Sequence, residues 1–168
     1  MSSSPSFRQR LRPEDADTIS ALVRRTGVFN EEEIATAREL ATANLAAGAI
    51  ASGYHFLIVD GDDGIDGYTC FGPIPGATKR FDLYWIAVNP DSQHGRIGQR
   101  LIAATEDAVI AMGGVMLFAE TSTRSDYAPA HRFYAASGYT RVAEIADYYA
   151  DGDGLAVYAK RLVAKLNG

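Results

Sequence analysis

Cysteine is almost missing from this chain of 168 residues. Cys70 stands alone, so no internal disulfide and no cysteine-rich metal site can form. Three histidines, His55, His94 and His131, lie far apart without metal-ligand spacing, and no metal is expected. No apolar run reaches membrane-spanning length, so no membrane partner is expected. Positive charge is in deficit: the net charge of −5 argues against a nucleic-acid binder working through a broad basic surface. The start, Met1-Ser-Ser-Ser-Pro-Ser6, has no basic segment and no apolar run behind it, unlike a secretory signal. A cytoplasmic location follows as the expectation. Repeats, low-complexity tracts and linkers are missing too, so residues 1–168 read as one domain with a flexible leader at 1–6.

What is present alternates between strand and helix patterns. Residues 7–11 alternate apolar with polar and read as a first strand. Pro13 suits a first helical position, with Glu14 and Asp15 at the positive helix start and Ile19, Leu22 and Val23 as its apolar stripe. Asn30 with Glu33 forms a capping-box signature. The helix it opens carries Ile34, Ala37, Ala41 and Leu45 on one face and is expected to end at Gly48. Residues 54–60 and 65–71, joined by Gly61-Asp-Asp-Gly64, read as a hairpin. Residues 81–88 form a nearly continuous apolar strand, the mark of a strand covered on both faces. A Gly-bearing turn then leads to a helix with Ile97, Leu101, Thr105, Ala108 and Met112 on one face. A strand at 115–121, a helix at 128–137 and strands at 139–145 and 155–162 complete a mixed α/β order, β-α-α-β-β-β-α-β-α-β-β.

The segment from Leu83 to Leu101 puts a buried strand, a short turn and a helix start in succession. A helix start offers unpaired N–H groups and a positive dipole end, so residues 93–98 can wrap a pyrophosphate. The spacing is neither G-x-G-x-x-G nor a Walker A loop. Ala87-Val88-Asn89-Pro90 followed by Gln93-His94-Gly95-Arg96-Ile97-Gly98 resembles the Q/R-x-x-G-x-G/A signature of the GNAT superfamily of acyl-CoA N-acyltransferases. Arg96 stands where that family usually has its first glycine. Phe133-Tyr134-Ala-Ala-Ser-Gly138-Tyr139 resembles the family's F-Y-x-x-x-G-F helix end, and the element order matches from Phe7 to Leu162.

The resemblance implies a splayed mixed sheet flanked by helices, with the strands at 83–88 and 115–121 separating at their C-terminal ends. It implies acetyl-CoA as co-substrate, its pantetheine arm pairing with the backbone of Ile86 and Val88 beside Ala87. The pyrophosphate would rest on Gln93, His94, Gly95, Arg96, Ile97, Gly98 and Gln99. Arg96, swung outward, is expected to meet the adenosine 3′-phosphate.

Amide formation requires a neutral amine, a thioester held in attack geometry and a protonated leaving thiolate. Tyr134 matches the family's general-acid tyrosine, and backbone N–H groups near Val88 suit a developing oxyanion. Asp82 and Glu120 are the candidate bases, each at a strand position where some family members place a catalytic glutamate. Cys70 reads as a small buried hydrophobe, and His131, one turn before Tyr134, as a surface residue. The acceptor is the opaque part. Tyr148 and Tyr149 in the last hairpin resemble a tyrosine-rich loop of protein N-terminal acetyltransferases, but Tyr127 stands where those enzymes usually carry an asparagine. The leading expectation is acetyl transfer to a primary amine of a small molecule in a ternary complex. A peptide N-terminus is the first alternative, and a non-catalytic acyl-CoA sensor the second. A homodimer stays open.

Overall fold

The computed structural model describes residues 6–92 and 96–164. Residues 1–5 of the expected leader, and Gln93, His94 and Gly95 of the expected donor turn, lie outside the described residues. Among the described residues, helices α1 (Asp15–Thr26) and α2 (Glu31–Ser52) precede strands β1 (His55–Gly61), β2 (Gly64–Pro73) and β3 (Arg80–Val88). Then follow α3 (Ile97–Ala111), β4 (Met116–Ser122), α4 (Ala128–Ala136), β5 (Thr140–Ala150) and β6 (Asp153–Arg161). Hydrogen bonding orders the strands as β1-β2-β3-β4-β6-β5 in a mixed sheet. The chain divides into two compact units, Met1–Gly72 with Trp85–Thr105, and Pro73–Tyr84 with Glu106–Gly168.

In the first unit, α1 (Asp15–Thr26) starts two residues after Pro13, because the Asp15 carboxylate accepts the Arg12 N–H at 2.6 Å and closes a preceding turn. The same carboxylate takes the Arg8 guanidinium at 2.6 Å, so this buried charge is paired. α2 (Glu31–Ser52) has the expected capping box: Glu33 N–H donates to Asn30 Oδ1 at 2.9 Å and Asn30 N–H to Glu33 Oε2 at 2.8 Å. Gly48 interrupts α2 with φ 81° rather than ending it; four more residues follow before Gly53. Ile19, Leu22, Val23, Ile34, Ala37 and Ala41 are buried as their spacing requires, whereas Leu45 is exposed. β1 (His55–Gly61) and β2 (Gly64–Pro73) form the expected antiparallel hairpin, closed at Gly61–Gly64. The strand expected at 7–11 contributes one bridge, Arg8 to Ile58, with bonds of 2.9 and 2.8 Å.

β3 (Arg80–Val88) begins in the second unit and ends in the first. α3 (Ile97–Ala111) runs the other way, burying Leu101, Ile102, Thr105 and Val109; Met112 is exposed beyond its end.

In the second unit β4 (Met116–Ser122) pairs parallel with β3, a ladder that runs from Arg80–Met116 to Leu83–Ala119. β4 pairs antiparallel with β6 (Asp153–Arg161), which pairs in turn with β5 (Thr140–Ala150). α4 (Ala128–Ala136) precedes β5 and buries Tyr134. Val142 and residues 146–149 fall where the β5–β6 register shifts, so the sheet edge is bulged.

Candidate active site

In the first unit, Ile86, Ala87 and Val88 end β3, and Asn89 turns the chain away. Asn89 N–H donates to the Asp66 carbonyl of β2 at 2.7 Å, and Ser92 N–H donates to the Asn89 carbonyl at 2.9 Å. Arg96 then takes φ 57°, a left-handed conformation that favours glycine. Its carbonyl accepts Arg100 N–H at 3.0 Å, which makes it the residue at which α3 begins. The N–H groups of Ile97, Gly98 and Gln99 come next, and a helix supplies no acceptor for its first N–H groups. A left-handed residue followed by right-handed ones curls successive N–H groups into an anion-binding nest. The family's glycine at this position thus has a backbone reason, which Arg96 meets under strain.

A cleft of about 520 Å³ in the same unit is lined by Asp17, Arg25, Asp62, Asp66, Asp91 and Ser92.

The second unit holds the three candidate catalytic side chains. Asp82 pairs with Phe118 across the β3–β4 ladder, and Glu120 follows Phe118 by two, so both carboxylates share one face. That face is open: Asp82 is half-buried and Glu120 exposed. Burial, and after it the charge of Glu120, pushes the Asp82 carboxyl up to about 6.

Tyr134 is buried on α4. Its ring stacks on Tyr158 at 5.3 Å and meets Tyr139 edge-on at 5.7 Å. Burial, with Tyr158 adding to it, holds the Tyr134 phenol above its ordinary range, so it keeps its proton at neutral pH. His131 is not at the surface as expected. Its Nε2 lies 2.9 Å from the Ser122 carbonyl and its Nδ1 2.6 Å from the Tyr158 hydroxyl. A carbonyl only accepts, so Nε2 carries the hydrogen, and in the neutral ring Nδ1 accepts from Tyr158. The helix with Tyr134 is thereby tied to the end of β4. Below the cluster, Lys160 Nζ donates to Glu106 at 2.9 and 3.0 Å, and Tyr139 donates to the same carboxylate at 3.0 Å.

Sequence reasoning missed Tyr158, Glu106 and Lys160, which no local motif marks. For His131 the signal was its one-turn spacing from Tyr134. Cys70 is buried, and burial pushes its thiol well up, as a small core residue should behave. No metal-holding group of His, Cys, Asp or Glu occurs among the described residues, and no described helix is long and apolar enough to cross a membrane.

The family model of the acetyltransferase (GNAT) domain matches residues 52–141, more than half of the chain. A solved structure from Desulfovibrio desulfuricans, described as an acetyltransferase of the GNAT family, is 40% identical, with 95% of this chain and 100% of that chain covered and a TM-score of 0.91. The chain belongs to the GNAT family of acetyltransferases. Two more distant structures share the fold. One is the ribosomal-protein-S18-alanine N-acetyltransferase from Escherichia coli, at 17% identity, 98% and 99% coverage and a TM-score of 0.73. The other is an aminoglycoside 6′-N-acetyltransferase complexed with coenzyme A, at 17% identity, 98% and 99% coverage and a TM-score of 0.72. No curated protein matches in sequence.

Proposed function

We propose that this chain is a cytoplasmic N-acetyltransferase that moves the acetyl group of acetyl-CoA to a primary amine of a small molecule, by direct attack in a ternary complex. The observation that carries the acceptor assignment is the carboxylate pair on one open face of the β3–β4 ladder. Two carboxylates there attract an ammonium group, and one of them, raised to about 6, is matched to taking its proton near neutrality. Asp82 is that base, and Glu120 supplies the second charge.

The donor's residues fit its anionic end. The nest at Arg96–Gln99 suits the pyrophosphate, and the relatives include a coenzyme A complex. Acetyl-CoA, when bound, supplies the thioester acyl group. Main-chain groups of Ile86 and Val88 hold the pantetheine arm. Tyr134 offers its O–H to the leaving sulfur; a phenol that stays protonated is fitted to that task.

A peptide N-terminus is the second reading, favoured by one observation. Tyr148 and Tyr149 are exposed next to the β5–β6 turn, with their rings edge to face at 5.0 Å. The test is thiol release from acetyl-CoA with a panel of small primary amines and of peptides. Turnover with small amines is expected. Turnover with peptides alone would move the assignment to the second reading, and turnover with neither would sink both.

A further inference from the structure

We propose that Asp66 is the positioning residue of the donor turn: with Ser92 it presets the turn's entry, and so governs acetyl-CoA affinity without touching the donor. The proposal rests on the donor assignment above.

Asp66 lies in β2, remote in sequence from the turn it serves. It holds the turn twice. Its carbonyl accepts Asn89 N–H at 2.7 Å, and its Oδ1 accepts the Ser92 hydroxyl at 2.6 Å. Between those anchors the turn closes on itself, with Ser92 N–H bonded to the Asn89 carbonyl at 2.9 Å and Asp91 N–H to Asn89 Oδ1 at 3.2 Å.

The residue after it serves the other end. Gly67 points to the opposite face of β2, and a Cβ there would lie 2.9 Å from Leu101 Cδ1, 3.0 Å from Ile97 Cγ2 and 3.2 Å from the Ala87 carbonyl. The first turn of α3 is therefore seated on bare backbone. Two consecutive residues of β2 thus index Ser92 and Ile97, the two flanks of the expected pyrophosphate turn. Gly61 completes the device, since a Cβ there would stand 2.3 Å from the Asp66 carboxylate and displace it.

The chemistry predicts which substitutions matter. The main-chain bond to Asn89 survives any side chain at 66, so the side-chain bond to Ser92 is the adjustable part. Without it, residues leading into the turn sample more conformations, and ordering them must come out of the binding energy. Asparagine keeps an acceptor oxygen for the Ser92 hydroxyl; alanine does not.

The experiment is calorimetric titration of the full chain with acetyl-CoA, alongside kcat at saturating donor. Asp66→Ala and Ser92→Ala should each raise Kd about tenfold, the scale of one lost hydrogen bond to a charged group. The double variant should be no weaker than either single one. Asp66→Asn should bind close to wild type, and kcat should hold within about twofold throughout. Ser92→Ala, a change outside the core, keeps the test open if Asp66→Ala folds poorly. Unchanged Kd in both single variants, or additive losses in the double, would overturn the clamp. A wild type that binds no acetyl-CoA would overturn the donor assignment and this proposal together.

Discussion

The two units hold their candidate residues by opposite means. In the first, the described flanks of the donor turn, Asn89 to Ser92 and Arg96 to Gln99, are held mostly through backbone: main-chain bonds, glycines in β1 and β2 that admit no Cβ, and a left-handed residue, with the Asp66–Ser92 bond as the side-chain addition. In the second, the Tyr134 ring is fixed by side chains: Tyr139 and Tyr158 pack against it, with His131 on Tyr158 and Lys160 bonded to Glu106, which also takes the Tyr139 hydroxyl. A site made mostly of backbone should tolerate drift in side chains that do not anchor it, Arg96 rather than Ser92 among them. A site made of packed side chains has no such latitude. Substitutions on the two sides should therefore fail differently, one in affinity and the other in turnover or stability.

The largest expected effect is on the side-chain-built side. Tyr134→Phe removes one hydroxyl and keeps the ring that packs on Tyr158 and Tyr139. Its kcat should fall about 100-fold or more, the usual weight of a general acid, while acetyl-CoA affinity stays unchanged. Steady-state kinetics with a parallel binding titration checks both. An equal loss in affinity would erase the contrast between the units.

Next is Lys160→Met, which leaves the Glu106 carboxylate, largely shielded, with Tyr139 alone. Breaking a half-buried ion pair by removing one partner should cost roughly 2 kcal/mol, visible as a lower Tm. Adding Glu106→Gln should restore part of it, because the orphaned charge goes too. No recovery in the double variant would mean that Lys160 acts through packing on Tyr139.

This contrast also explains what the sequence could disclose. A candidate donor turn is legible because backbone recognition needs contiguous residues: Ala87-Val88-Asn89-Pro90 and the stretch to Gly98 lie in one run. The carboxylates were legible as candidates, but the raised Asp82 follows from its burial in the folded sheet and, after that, from Glu120, 38 positions on, being placed on its face. Glu106, Tyr139 and Lys160 meet only after α3, α4 and β6 have packed, so no spacing announces them. The miss at residues 7–11 has another cause. Alternation predicts which way side chains point, yet says nothing of whether a neighbour runs alongside, and Arg8 alone found one. Gly48 misled for a related reason: a left-handed glycine interrupts a helix, but packing on either side decides whether helix resumes.

Asp82→Asn should give a smaller, pH-dependent change. The folded-state carboxyl is raised above its ordinary value, so the stability tied to its protonated form is fully present below about pH 4. That contribution is lost as pH climbs through about 6. Asparagine cannot ionise and is spared the loss. The variant should be about 1 kcal/mol more stable than wild type at pH 7.5, a figure reduced for partial exposure, with the gain vanishing below pH 4. Thermal melts at both pH values check this, and a gain that persists in acid would mean another cause. Turnover should fall in the same variant, and the acidic limb of its kcat/KM profile should disappear.

The smallest expected effect is at Arg96, where the backbone-built side departs from its family. Its φ of 57° costs a non-glycine residue about 1 kcal/mol, and Arg96→Gly relieves that strain. Glycine also frees the unfolded chain by a similar amount, about 0.5–1 kcal/mol, so the two effects nearly cancel and Tm should barely move. Affinity is the informative readout. If the Arg96 guanidinium meets the adenosine 3′-phosphate, wild type should prefer acetyl-CoA over its dephospho analogue, and Arg96→Gly should lose about 1 kcal/mol of that preference, as expected for an exposed charge-assisted contact. The loss should shrink as salt is raised, because an exposed pair is screened. Equal preference in both proteins would reduce Arg96 to an occupant of a glycine position, tolerated because the nest is made by its backbone and the side chain points into solvent.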